Sequence, residues 1–234
     1  MPTFLVLVDG MIESSPDSAT MLRTGASLYD AYAGVLVPEA DRKQQLSARS
    51  LDYAWRAMCA HKKKTCDWRV LNFAQFEARL PELKEKDIPY VYTLAVSWLN
   101  WMRINSSDWN AVADLPRVKA LLLRVEQADP AYDDGMLQLY LGGIATLLPP
   151  ALGGKPEEGR KHFERAMEIS DGRNLMAPVL YAELYARLVF NQQLHHQLLS
   201  GVMAANPNVD GYVLVNKIAQ QQAAELLASE ADYF

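Results

Sequence analysis

Apolar residues recur at the spacing of an α-helix along almost the whole chain, and this periodicity constrains the fold more than any other feature. Leu180, Leu184 and Leu188 recur every four residues with Tyr181 and Tyr185 beside them, which reads as a broad apolar stripe on one helix. Phe163, Ala166 and Met167 make a similar pattern in the segment before it. Strand-like runs are scarce. Phe4 to Val8 is one and Gly211 to Val215 another. Neither has a hairpin partner across a short turn, so both read as buried helix starts.

Helix breakers punctuate this pattern. Ser15-Pro16, Asp129-Pro130, Ser170-Asp171-Gly172 and Asn206-Pro207 each stand between two periodic segments. Proline lacks an N–H and disfavours helical geometry in the residue before it, while Asp, Ser and Asn can cap the next helix. The later breakers recur at intervals of roughly forty residues, a period typical of helical-hairpin repeats.

The clearest repeat lies between Tyr140 and Asp171. The second helix of a tetratricopeptide unit places a small residue, an aromatic four positions on, an Ala three further and then a turn. Gly159, Phe163, Ala166 and Ser170-Asp171 fill those places, with Gly142 and Gly143 as small residues of the preceding helix. The connection between these helices, Leu147-Leu148-Pro149-Pro150-Ala151-Leu152-Gly153-Gly154, is longer than the usual tight turn. A weaker unit spans Pro89 to Pro130, with Leu94, Trp98 and Trp101 on its first helix, Val118, Leu122 and Val125 on its second, and Asn105 to Asp108 as a polar link. The expected fold is therefore all-α: antiparallel helical hairpins stacked as a tetratricopeptide-like α-solenoid, in a single domain over residues 1–234.

Composition narrows the partners. Lys and Arg number 23 against 28 Asp and Glu, a net charge of -5. Nucleic-acid binding needs a basic face, and the only dense basic run, His61-Lys62-Lys63-Lys64, reads as a solvated loop. The longest apolar run, Val91 to Met102, contains Thr93, Ser97 and Asn100 and is too short to span a bilayer. The start shows no export signal, so the chain reads as cytoplasmic or already trimmed. The two cysteines, Cys59 and Cys66, lie too far apart for a disulfide on one continuous helix. A bridge requires the helix to end near Lys62 and the protein to occupy an oxidising compartment. Both the bridged and the free form stay open here.

Catalytic signatures are missing. Gly154-Lys155 is followed by Pro156, which fails a phosphate-binding loop, and no H-E-x-x-H, G-x-S-x-G or G-x-G-x-x-G occurs. The adjacent His195 and His196 point to different sides of a helix, and His162 reads as half-buried packing. Glu157-Glu158 and Asp133-Asp134 read as acidic helix starts that complement the dipole. Glu157 with Lys161, and Glu183 with Arg187, read as i,i+4 ion pairs. No cofactor and no metal are expected. The aromatics Trp98, Trp101, Trp109, Tyr140, Tyr181 and Tyr185 either fill the core or line a groove for an apolar ligand or a partner protein. Arg187 joins them as a candidate. Pro149 and Pro150 mark an inserted connection of the kind that carries function.

The run Leu147 to Glu157, followed by His162-Phe163-Glu164-Arg165-Ala166, resembles the T-component proteins of tripartite ATP-independent periplasmic (TRAP) transporters. Asn174-Leu175-Met176-Ala177, Tyr181-Ala182-Glu183, Tyr185-Ala186-Arg187, Ala113 to Val118 and the tail from Ala228 to Phe234 are similar to the same family, and the resemblance runs from about Tyr53 onward. It implies a non-enzymatic, tetratricopeptide-like periplasmic protein, lipid-anchored in its full precursor. It also implies association with the solute-binding protein of a TRAP-type transporter, homo-oligomers such as trimers, and a hydrophobic small-molecule ligand. The start of this sequence carries neither a signal nor a lipid-bearing cysteine. Two other functions suit a chain of stacked hairpins: a cell-envelope glycan hydrolase using Glu183 as its acid, and a general scaffold for protein docking.

Overall fold

The computed structural model describes residues 2–35 and 37–234, with the side chains of Val35 and Leu152 also outside the description. The described residues hold helices and turns and no strand. They gather into two compact units, Met1–Ala128 and Asp129–Phe234.

The first unit contains α1 (Thr3–Ser14), α2 (Ala19–Val35), α3 (Ala40–His61), α4 (Phe73–Glu77), α5 (Ile88–Ile104), α6 (Trp109–Val112) and α7 (Leu115–Ala128). Contacts along α2, α3 and α5 fix their directions. Arg42 reaches Tyr32 near one end of the α2–α3 pair, and the Ser50 hydroxyl donates to the Ala26 carbonyl (2.9 Å) near its middle, so the two helices run antiparallel. Gln44 meets Asn105, Ser50 meets Ser97 and His61 stacks on Tyr90, so α3 and α5 are antiparallel as well. On α5 the buried Val91, Leu94, Ala95, Trp98 and Met102 follow helical spacing, and on α7 Val118, Leu121, Leu122 and Val125 do the same. Leu94 and Trp98 on α5 and Val118, Leu122 and Val125 on α7 lie on these buried faces as expected from the sequence, whereas Trp101 is only half-buried.

Between α3 and α5 the chain advances by short turns. Asn72 closes a reciprocal capping box with Gln75 that starts α4. Trp68 and Phe76 pack edge to face, both buried, with ring centroids 5.1 Å apart. Arg124 donates to the Leu83 carbonyl (2.6 Å) and Arg117 to that of Leu71, which satisfies backbone groups that no helix covers.

The second unit contains α8 (Met136–Ala145), α9 (Pro156–Ile169), α10 (Met176–Leu180), a π-helical turn (Tyr181–Ala186), α11 (Gln192–Ala204), α12 (Val213–Ala228) and α13 (Glu230–Tyr233). The glycines set the close approach of α8 and α9. A Cβ on Gly142 would stand 2.9 Å from the Phe163 ring, and one on Gly159 would stand 2.5 Å from Thr146 Cγ2 and 3.1 Å from the Gly142 carbonyl. Gly135 lies against Ala166 and Ile169 at the far end, so this hairpin is antiparallel. Gln220 donates to the carbonyls of Val202 and Ala205 while His195 meets Glu230, which makes α11 and α12 antiparallel too. The buried Asn216 ties α12 to the start of α10 through the Leu175 N–H and the Arg173 carbonyl.

Several local expectations need correction. Leu180, Leu184 and Leu188 are half-buried, and the deepest side chains here are Val179, Ala182 and Ala186. The α-helix gives way to the π-helical turn at Tyr181, which rotates the face presented inward. Phe4 to Val8 and Val213 do start helices, but Phe4, Val6, Leu7, Val213 and Leu214 are exposed, because α1 turns only Leu5, Val8 and Ile12 inward. Asp133 and Asp134 do stand just ahead of the α8 N-terminus, but in a turn with left-handed backbone (φ 54 and 48) rather than inside the helix's first turn. Glu157 pairs with Arg160 at i,i+3 rather than with Lys161.

Candidate functional site

The connection between α8 and α9 is a fixed apolar knuckle. Its base is closed by the Lys155 N–H donating to the Ala145 carbonyl (2.9 Å). Within it, Gly154 donates to the Pro149 carbonyl (3.2 Å) and Gly153 to that of Pro150 (3.0 Å). Gly153 takes φ 88, and a Cβ on Gly154 would land 1.6 Å from the Leu148 carbonyl oxygen, so both positions need glycine. Consecutive prolines restrict the backbone further. The knuckle projects Leu147 (56% exposed), Leu148 (48%), Pro149, Pro150 and Ala151 into solvent. Displaying apolar side chains on a pre-ordered backbone lowers the entropy cost of binding a partner.

Below the knuckle, α9 and the π-helical turn share a polar seam. The Tyr185 hydroxyl donates to Glu157 (2.7 Å) and the Tyr181 hydroxyl to Glu164 (3.1 Å), while Arg160 bonds both carboxylates (2.8 Å each). Burial raises both phenols, and donation to the carboxylates raises them further, Tyr185 to about 12. Hydrogen bonds from Arg160 and Tyr185 hold Glu157 below the usual carboxylate range. The phenols are fixed donors that lock the hairpin to the following turn.

The remaining candidates separate. In the first unit Trp98 is buried and packs on Trp55 at 5.0 Å. Trp101 is half-buried, and its carbonyl accepts from Asn105. Trp109, at the first position of α6, is 88% exposed. In the second unit Tyr140 is half-buried, and Tyr181 and Tyr185 are buried in the apolar cluster around Phe163. Arg187 does not pair with Glu183. Its guanidinium donates to the Ser229 hydroxyl (2.9 Å) and lies 4.6 Å over the Tyr233 ring.

Cys59 and Cys66 are joined by a disulfide, with Cα atoms 4.5 Å apart. The geometry follows from α3 ending at His61, so that the chain turns back through Lys62 to Thr65. The neighbouring basic run is partly engaged: His61 Nε2 meets Asp87 Oδ1 at 2.7 Å and Lys62 Nζ donates to Asp87 Oδ2 at 2.8 Å. Burial of Asp87 opposes ionisation, but these partners and the Lys84 N–H outweigh it and hold the carboxyl down to about 2.

Sequence reasoning missed the histidine pair. His195 is fully buried and His196 is largely exposed, yet both Nδ1 atoms approach Glu230 Oε2, at 3.1 and 3.3 Å. The adjacent positions do diverge around α11, but Glu230 reaches both from another helix, and no local pattern marks that. Among the described residues there is no cluster of metal-ligating side chains and no helix long and apolar enough to cross a membrane.

The whole chain, residues 1–234, matches the family described as TRAP transporter T-component. No curated protein gives a significant match to the chain.

Proposed function

Because the chain belongs to the TRAP transporter T-component family, we propose that it is a non-catalytic periplasmic accessory subunit that docks the transporter's solute-binding protein through the α8–α9 knuckle. The single observation that carries this reading is the set of exposed apolar side chains, Leu147 and Leu148 with Pro149 and Pro150, on a loop whose backbone is closed by the Lys155–Ala145, Gly154–Pro149 and Gly153–Pro150 hydrogen bonds. Exposed apolar surface on an ordered loop favours association with a protein. The disulfide supports an oxidising compartment such as the periplasm. In this reading the hairpins act as a tetratricopeptide-like scaffold, and copies of the chain assemble into a homo-oligomer such as a trimer.

The test is direct binding of the purified cognate solute-binding protein to the immobilised chain. Leu147→Asp with Leu148→Asp should weaken binding by at least about tenfold, on the scale of losing a small hot spot. A double variant that stays folded and binds as tightly as the parent overturns the reading.

A hydrophobic small molecule is a second proposal, favoured by one feature of the first unit. Val6, Leu7, Gly10, Met11 and Met21 line an open depression together with Ser14, Ser15 and Ser18. An acyl-chain probe retained by the parent and lost with Leu7→Asp supports it; equal retention by both removes it.

A further inference from the structure

The end of α3 gathers positive charge that its own carboxylates do not answer. A recess of about 220 Å³ opens between the α1–α2 connection, the C-terminal part of α3 and the turns that follow it. Arg56, Lys63 and Arg69 line it against a single carboxylate, that of Asp17, and both halves of the Cys59–Cys66 bridge belong to its wall. The Thr65 hydroxyl meets the carbonyls of Met58 (3.1 Å) and Lys62 (2.8 Å), so the negative end of α3 is partly offset where it reaches the recess.

Asp52 stands outside the lining and serves two guanidiniums at once, Arg56 at 3.6 Å and Arg69 at 3.8 Å, both longer than a hydrogen bond. Arg56 makes one hydrogen bond, to the Pro16 carbonyl at 3.3 Å. Among the described residues Arg69 makes no hydrogen bond, and the Lys63 ammonium has neither a hydrogen bond nor an ion pair. The rest of the basic run is directed elsewhere: Lys62 pairs with Asp87, and Lys64 approaches Glu82 at 4.0 Å. Arg69 lies 5.1 Å over the ring of Trp55, which is buried and packs on Trp98. Burial draws the Arg69 guanidinium below the usual arginine range, and Asp52 recovers only part of that. Sheltered charges of native proteins are paired. A guanidinium restrained on an aromatic ring with its N–H groups unfilled presents the donors that an oxyanion site uses.

We infer that this recess is a binding site for a small oxyanion, a phosphate or a short-chain carboxylate, held by the Arg56 and Arg69 guanidiniums and the Lys63 ammonium. Paired N–H donors of a guanidinium match the oxygens of either group. At about 220 Å³ the recess is smaller than the pockets that hold drug-sized ligands, which limits the occupant to a few heavy atoms. The indole and the disulfide supply weakly polar wall, where attraction between charges is stronger than in water. Asp17 opposes the anion from the α1–α2 connection. This site lies in the first unit and does not rest on the α8–α9 knuckle or on what the knuckle binds.

The full-length, disulfide-bonded protein is titrated with inorganic phosphate and, separately, with succinate, at an ionic strength held constant with sodium chloride. NMR reads the Trp55 indole N–H, the Arg56 and Arg69 side chains and the backbone from Lys63 to Arg69. At least one of the two anions should saturate those groups with a Kd of about 10 mM or below, and the tighter one names the source of the oxyanion. Lys63 is exposed, so Lys63→Gln keeps the fold and should weaken binding at least about threefold. Arg69→Gln should weaken it about tenfold, and Asp17→Asn should tighten it. Lys217→Gln, at an exposed position of the second unit, should leave it unchanged. Four results overturn the proposal. They are no saturable shift up to about 50 mM of either anion, shifts spread evenly over the surface lysines, a loss in Lys217→Gln equal to that in Lys63→Gln, and weaker binding in Asp17→Asn.

Discussion

The Ser97 hydroxyl on α5 donates to the Asp30 carboxylate on α2, and among the described residues no cation pairs with that carboxylate. Ser50 bonds Ser97 in turn (3.0 Å), so the charge is shared only with hydroxyl and amide groups, and Asp30 Oδ1 is buried without a partner. Burial pushes the carboxyl up to about 6, with the Ser97 hydrogen bond and the nearby polar groups of Ser50 and Asn100 opposing it in part. Because the folded value lies above the unfolded one, Asp30 favours the fold most below about pH 4, and that contribution falls as pH rises towards 6. Two pH units correspond to at most about 3 kcal/mol. Asp30→Asn should raise the melting temperature at pH 7 and flatten the decline in stability between pH 4 and 6. Thermal melts of both proteins across that range check it, and a variant that melts lower at pH 7 with an unchanged pH profile contradicts it.

Asp87 should behave with the opposite sign. Its folded value of about 2 lies below the unfolded one, so its contribution is complete above about pH 4 and is lost as pH falls towards 2. Asp87→Asn leaves Lys62 and His61 without their carboxylate and should cost about 2–3 kcal/mol at pH 7. The variant should also show a shallower loss of stability between pH 4 and 2. Urea unfolding at stepped pH measures both.

Gly142→Ala gains about 1 kcal/mol of helix propensity but drives a methyl group to 2.9 Å from the Phe163 ring, which is fully buried and cannot step aside. Overpacking of this kind costs about 1–3 kcal/mol, so a net loss is expected. Gly201→Ala, also within a helix, meets nothing within 4 Å and should be neutral or stabilising. Equal effects of the two substitutions in chemical denaturation would show that α8 and α9 do not pack as closely as described.

The Cys59–Cys66 bridge closes a short loop after α3. Loop-closure entropy for so short a ring predicts a loss of about 2.5 kcal/mol on reduction. The urea midpoint with and without a reductant measures it. The loss should be absent from a Cys59→Ser, Cys66→Ser variant, which should match the reduced parent.

Much of the fold was legible because helices are local. The spacing of Gly159, Phe163 and Ala166 marked α9 and its small-residue contact with α8, and each breaker fell between helices, since caps, prolines and apolar stripes act within a few residues. The α8–α9 knuckle was legible as an insertion for the same reason. Local reading failed where one helix chose among rotations: the leucines at 180, 184 and 188 were half-buried because a π-helical turn shifted the inward face. It failed again at Arg187, where Ser229 and Tyr233, distant in sequence, replaced the neighbouring Glu183.

By itself the sequence determined that the chain is helical, where most helices stop, and that α8 and α9 approach at their glycines, because backbone sterics and side-chain periodicity are set within a few residues. Only the tertiary structure decided that α3 ends where Cys59 can reach Cys66, that Asp30 is buried with no counter-ion among the described residues, and that Glu230 lands on His195 and His196. Those pairings join residues on different elements, and their energies depend on burial and distance, which exist only once the helices have packed.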